Sequence, residues 1–391
     1  MRIIVFCTAD LRLGSGSEVR ARLIASGLKE SGNEVCTVSL SVPSVFARKG
    51  IESFVPKPGE SWGNVLDRAA GTFRPDFIYG ITEACADAVV YVAGKRSCRI
   101  AFDLHGIGVV EIIELGPGYG PRLPRLYRSA RWLSDVRRAD IITVANPTLV
   151  KVASLIYGGV SSVIGMTDLA HFHPQGLKER IGADASRTQV LFAGNYFKWQ
   201  GVDLLIDAIR ILARDKEPFE FTLMGSVGRS SDALRKWRIE LPSDLVHFVD
   251  SVDYDVAPAY YRGADVLVIP RPFMLSTHLA FPQKLVDYMA SGRTIVATDL
   301  APHKWALKSP RAGILCPPTA RGLADGIRAT KDSILRELLG TNARKVAVEK
   351  FSHLHQANRI CGLFYETIQS GSPLTTSGSP QNANEAPFRH C

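Results

Sequence analysis

Gln189-Val190-Leu191-Phe192-Ala193-Gly194 is a short apolar run ending on glycine, followed by the helix-spaced stretch Val202–Ala213 and a second apolar run, Phe219–Met224. Strand, turn, helix and strand in that order make a β-α-β unit, and such units build parallel sheets. Apolar runs at Val246–Val249, Val266–Ile269, Thr294–Ala297 and Gly313–Leu315, separated by helix-compatible segments, extend the series. The same pattern opens the chain. Arg2–Cys7 leads into Leu13-Gly14-Ser15-Gly16-Ser17-Glu18; Val19, Leu23, Ile24 and Leu28 recur at helical spacing, and Gly32-Asn33 breaks the helix before Glu34–Leu40. Runs near Phe77–Tyr79, Ile100–Leu104 and Ile141–Ala145 continue that first series. Two successive doubly wound α/β domains are predicted, and a length of 391 residues suits two domains plus a remainder.

The Pro/Gly joint between the two series is Phe172-His173-Pro174-Gln175-Gly176, so the spacing predicts a first domain over 1–173 and a second over 174–349. Residues 350–370 read as a closing helix, with Leu354, Ile360, Leu363, Phe364 and Ile368 as its apolar stripe. Residues 371–391, rich in Gly, Ser, Pro, Asn and Thr, are predicted to be a disordered tail.

Composition narrows the function. The 46% hydrophobic and 22% charged content excludes wholesale disorder. Seven scattered cysteines without a C-x-x-C pair argue against a disulfide framework or a zinc site. Met1–Phe6 is too short an apolar run for a signal peptide, and eighteen apolar residues never run together, so a cytoplasmic protein is expected. The net charge of +9 suits a phosphorylated ligand or an anionic surface, but no nucleic-acid motif accompanies it and no nucleic-acid partner is expected.

In doubly wound domains ligands bind beyond the carboxyl ends of the strands. Gly14–Glu18, Asp103-Leu104-His105-Gly106, Gly194–Gly201, Gly225–Gly228 and Pro270–Lys284 occupy such positions. The turn at Gly14 fails the dinucleotide pattern G-x-G-x-x-G, since Val19 stands at the third glycine and Ser39-Leu40-Ser41 lacks the ribose-binding acid. A G-x-x-x-x-G-K-[ST] phosphate loop is absent.

Three segments carry a family resemblance. Val190 to Ile206 resembles the donor-phosphate segment of glycosyltransferase family 4. Phe281-Pro282-Gln283-Lys284-Leu285-Val286-Asp287-Tyr288-Met289-Ala290-Ser291-Gly292 is similar to that family's P-x-K-x-x-E-Y-M-A-x-G, and Asp168–Pro174 to its interdomain D-x-x-x-F-x-P. The resemblance implies the GT-B fold, two facing Rossmann-like domains with a C-terminal helix crossing back to the first. It also implies sugar transfer from a nucleotide-sugar with retention of configuration and no required metal or other cofactor, the UDP- or GDP-linked donor being a co-substrate. The acceptor would be a glycan or a lipid-linked molecule in polysaccharide or glycoconjugate biosynthesis. A non-hydrolysing nucleotide-sugar epimerase of the same fold and a non-catalytic nucleotide-sugar-binding scaffold are the alternatives.

A departing nucleoside diphosphate needs cations and helix N-termini around it. Where the family carries an Arg and a Lys, this chain has Asn195 and Gln200, and Lys198 is expected to take over the diphosphate contact. Asp287 stands at the family's second acid and is expected to hold donor ribose hydroxyls. The first acid is replaced by Leu279, with His278 or Thr277 as stand-ins. The backbone of Phe281, Pro282, Gln283 and Lys284 opens a helix suited to phosphate, and Lys284 either adds charge there or points outward. His105, just past a strand end, resembles the family histidine beside the donor sugar, so His105 and Lys198 are the catalytic candidates. Gly14, Gly16 and Gly194 allow close backbone approach to the donor. No metal site is expected: His171 and His173, like His353 and His355, are only two apart. Arg122, Arg125, Arg128 and Arg131, interleaved with Leu126, Tyr127 and Trp132, make a basic flank beside an apolar one, suited to the cytoplasmic face of an anionic membrane.

Overall fold

The computed structural model describes residues 1–12, 16–115, 122–225, 231–308 and 311–371. The first sheet comprises β1 Arg2–Phe6, β2 Glu34–Val38, β3 Glu52–Phe54, β4 Phe77–Ile81, β5 Arg99–Leu104, β6 Ile141–Val144 and β7 Ser161–Ser162, in the order β3-β2-β1-β4-β5-β6-β7. The second comprises β8 Thr188–Ala193, β9 Phe219–Met224, β10 Val246–Val249, β11 Val266–Ile269, β12 Thr294–Thr298 and β13 Ile314–Cys316, in the order β10-β9-β8-β11-β12-β13. Every strand pair is parallel. Each sheet thus reverses winding beside its own first strand, β1 or β8, where crevices for ligands open.

Burial on both faces explains the continuous apolar strands. In β1, Ile4 and Phe6 enter one core layer while Ile3 and Val5 enter the opposite one. Val190 and Phe192 of β8 divide from Leu191 and Ala193 in the same way. The short edge strands β3 and β7 were not legible as apolar runs.

Helix His353–Ser370 packs against helix Gly16–Glu30 of the first domain. The approach is close enough that a Cβ on Gly27 would stand 2.7 Å from that of Ala357. Its buried stripe differs from the expected one: Ala357, Ile360, Cys361, Phe364 and Thr367 face inward, whereas Leu354 and Ile368 are exposed. The preceding helix, Ser333–Lys350, is capped at Phe351, and the closing helix starts at His353. The two chain crossings between the domains lie side by side. Thr167 pairs with Ser352, the Thr167 N–H donates to the Phe351 carbonyl at 2.7 Å, and the His353 N–H to that of Thr167 at 3.0 Å. The tail expected over 371–391 lies, beyond Gly371, outside the described residues.

Candidate active site

A cavity of about 760 Å³ opens between the carboxyl ends of the two sheets. The second domain contributes Gly194, Asn195, Gln200, Arg271, Phe281, Pro282, Gln283, Lys284 and Asp287; the first contributes Gly16, Ser17, His105 and Glu111. Gly16, at the N-terminus of its helix, lies so near the other domain that a Cβ would sit 3.6 Å from that of Gln283. Gly14 is outside the described residues.

Gly194 follows β8 with φ +148°, and a Cβ there would collide with the Lys284 ammonium. Lys284 stands in the first turn of helix Gln283–Ala290. Its Nζ donates to Gln200 Oε1 at 2.8 Å and lies 4.5 Å from the centre of the Phe192 ring. Among the described residues no carboxylate pairs with it. Burial, and then the positive Arg271 beyond, push its pKa well below the usual lysine range. Burial likewise lowers that of Arg271 to about 10, and its Nη1 donates to the Ala280 carbonyl at 3.2 Å while Nε is buried without a partner. Lys284 thus lacks a nearby counter-ion, and Arg271 has only the through-space charge of Glu111, an arrangement that favours an incoming anion.

Asp287, one turn along the helix, accepts from Thr167 Oγ1 at 2.7 Å and Gln283 Nε2 at 3.2 Å, both through Oδ1. Burial lifts its pKa to about 7 against those two hydrogen bonds. Asn195 Oδ1 is buried without a partner. Phe281 packs over Gly165 and beside Phe351, 6.1 Å between ring centres, so it shapes the cavity wall.

Lys198 is exposed and does not line the cavity, contrary to the expectation for it. Residues 198 and 200 share the 3-10 turn Lys198–Gln200, where positions two apart point in different directions; Gln200 faces inward and Lys198 outward. Lys284, not Lys198, is the lysine that lines the cavity. Leu279 also turns away: its side chain enters a core layer of the first domain, and its carbonyl accepts from Asn146 Nδ2 at 2.7 Å. Thr277 lines the cavity, but its hydroxyl is committed to the backbone of Pro272 and Met274. His278 is not part of the lining.

Across the cavity His105 uses both ring nitrogens. Nε2 lies 2.7 Å from Asp103 Oδ2 and Nδ1 3.1 Å from Ser17 Oγ. An ionised carboxylate only accepts, so Nε2 carries the proton and Nδ1 faces Ser17 and the cavity. Asp103 is fully buried on β5 and pairs with Arg20 through two hydrogen bonds, 2.6 and 2.9 Å, while Thr143 Oγ1 donates to it at 2.7 Å. Burial raises the Asp103 pKa, but Arg20 and His105 outweigh it and hold the carboxyl well below the usual range. Sequence reasoning missed Arg20, Arg271 and Glu111. An acid inside Ile100-Ala101-Phe102-Asp103-Leu104 was the available signal for a buried cation such as Arg20, and a charge two residues past β11 was the signal for Arg271.

Residues 187–332 match the model of the family described as glycosyl transferases group 1. An uncharacterized glycosyltransferase of Methanocaldococcus jannaschii is 24% identical over 369 residues, covering 87% of this chain and 92% of its own. Among solved structures, sucrose-phosphate synthase of Thermosynechococcus elongatus superposes with a TM-score of 0.74 at 17% identity, over 95% of this chain and 99% of its own. Anabaena HepE, solved in complex with UDP and glucose, gives 0.71 at 17% identity, over 95% and 100%. With both sheets wound alike about one cleft and residues 187–332 matching the group 1 model, the chain has the GT-B fold and its second half is similar to the glycosyl transferases group 1 domain.

Proposed function

We propose that the protein is a retaining glycosyltransferase that takes a UDP- or GDP-linked sugar in its second domain and an acceptor from the side of its first. The observation that carries this reading is Lys284, a buried ammonium without a carboxylate partner, set against the backbone of Gly194 and backed by Arg271. In this reading the diphosphate lies on Lys284, Arg271 and the N-terminus of helix Gln283–Ala290, and these groups supply the charge that stabilises its departure. Asp287 keeps Oδ2 for a donor ribose hydroxyl, and Gly16 and Gly194 allow the donor to approach the backbone. The bond from the anomeric carbon to the phosphate oxygen breaks and the bond to the acceptor oxygen forms on the same face of the sugar, the acceptor proton passing to the departing phosphate. His105, its ring held by Asp103, presents Nδ1 beside the transferred group. No metal or other cofactor is required.

The acceptor is proposed to be lipid-linked, with the protein at an anionic surface on the cytoplasmic side. Helix Arg122–Val136 exposes Leu123 by 81% and Tyr127 by 70%, with Arg128 also exposed, and it packs beside helix Gly108–Leu115, which lines the cavity through Glu111. Arg125 is half-buried, Arg131 stands 3.4 Å from Asp87, and the Arg122 side chain lies outside the described residues. Among the described residues no helix is long and apolar enough to cross a membrane.

Incubation with UDP- and GDP-sugars should release nucleotide faster when lipid extract or glycan is added, and vesicle flotation should weaken in Arg128→Glu. An altered nucleotide-sugar formed without acceptor would instead make the protein an epimerase, and binding without turnover would make it a scaffold.

A further inference from the structure

Glu111 lines the cavity, and the reading above leaves its carboxylate unused. It stands in the first turn of helix Gly108–Leu115, half-buried, on the first domain's wall. Its carboxylate lies over the turn that follows His105: a Cβ on Gly106 would sit 2.5 Å from Oε1. No described residue gives that carboxylate a hydrogen bond or an ion pair. The neighbouring acid behaves differently. Glu83, on the far side of the same turn, accepts from the Gly108 N–H at 3.2 Å and from the Tyr157 hydroxyl at 2.9 Å, so it serves the fold.

A carboxylate open to a cavity and short of donors is suited to hydroxyl groups, which donate without carrying charge. It repels phosphate, and the buried cation it acts on is Arg271, not Lys284. On the opposing wall Leu279 is turned into the first domain's core, the Thr277 hydroxyl is committed to backbone, and Asp253 is exposed at the surface. Asp287 has one oxygen filled by Thr167 and Gln283. Burial, and then the nearby charge of Glu83, raise the Glu111 pKa to about 7, while Arg271 acts in the opposite direction. An accepted hydroxyl hydrogen bond stabilises the ionised form.

We infer that Glu111 receives hydroxyls of the donor's sugar, so that the first domain reads the transferred group with a carboxylate as well as with His105. This rests on the nucleotide-sugar reading. Nucleoside diphosphate would then bind to the second domain alone, whereas the complete donor would bridge the cleft.

The test compares Glu111→Gln with wild type by calorimetry, using UDP, GDP, UDP-glucose and GDP-mannose as probes. The variant should bind nucleoside diphosphate within about twofold of wild type but bind the matching nucleotide-sugar about tenfold or more weakly. Retained diphosphate binding also certifies that the variant is folded. Equal changes for diphosphate and nucleotide-sugar would make Glu111 a counter-ion of Arg271 and overturn the inference, as would unchanged nucleotide-sugar binding. If wild type binds none of the four probes, the nucleotide-sugar reading itself fails and the inference falls with it.

Discussion

Replacing Lys284 by methionine keeps most of the side chain's volume and removes its charge, and two consequences of opposite sign follow. In the ligand-free protein the ammonium has a glutamine oxygen and the Phe192 ring as partners and no carboxylate, so its burial is poorly compensated. Removing it should stabilise the free protein by about 1 kcal/mol, raising Tm by roughly 2–4 °C. Ligand binding should suffer. A charge-assisted hydrogen bond contributes about 1.5–3 kcal/mol, and an ion pair at 4 Å with an effective dielectric constant near 20 contributes about 4 kcal/mol before desolvation is subtracted. A net loss of roughly 2–4 kcal/mol corresponds to about 30- to 900-fold weaker binding of nucleoside diphosphate. Burial depresses the lysine pKa and a bound anion raises it, so nucleotide affinity of wild type should fall with rising pH below the usual lysine range; methionine should abolish that fall. Differential scanning fluorimetry gives the first quantity. Titration calorimetry over a range of pH gives the other two. A variant that loses stability and binds nucleotide like wild type would refute the assignment of Lys284 as the diphosphate cation.

Asp103→Asn leaves Arg20 buried beside a neutral group and should cost about 3–5 kcal/mol in urea denaturation, whereas His105→Ala should change stability far less and turnover far more. Gly201 holds φ +76° and a Cβ would strike the Pro270 carbonyl, so Gly201→Ala should lower stability by roughly 2–5 kcal/mol, read from the denaturation midpoint. Asp287 has a folded pKa raised from 3.8 to about 7, so between those values the folded state binds more protons than the unfolded one. Stability from this group is therefore full below about pH 4 and falls as pH rises through 7. Denaturation of Asp287→Asn across pH 4–8 should lack that component of the decline; an identical pH profile would mean that Asp287 is ionised throughout.

The two-domain architecture was legible because parallel strands buried on both faces are nearly pure apolar runs, as in Ile3-Ile4-Val5-Phe6 and Val190-Leu191-Phe192-Ala193. The edges were not: Ser161–Ser162 carries no apolar signal and pairs only on one side. The ends of the strands located the site, and His105, Gly194 and the segment around Lys284 do line it. Which side chains point inward was beyond reach, since one 3-10 turn decides between Lys198 and Gln200, and local spacing cannot register that Leu279 is taken up by the other domain. Glu111 gave no signal because its significance comes from the wall opposite.

The return of helix His353–Ser370 to the first domain sets an order on synthesis. Leu23, Ile24 and Leu28 share a core layer with Ile360 and Phe364, so the first domain leaves the ribosome with one flank uncovered. At roughly 5–20 residues per second, the intervening second domain is made over on the order of ten seconds, during which that flank is open to chaperones or to wrong partners. The half of the molecule that is translated first is thus among the last to be completed, and mutations in the closing helix should appear first as losses of yield during expression.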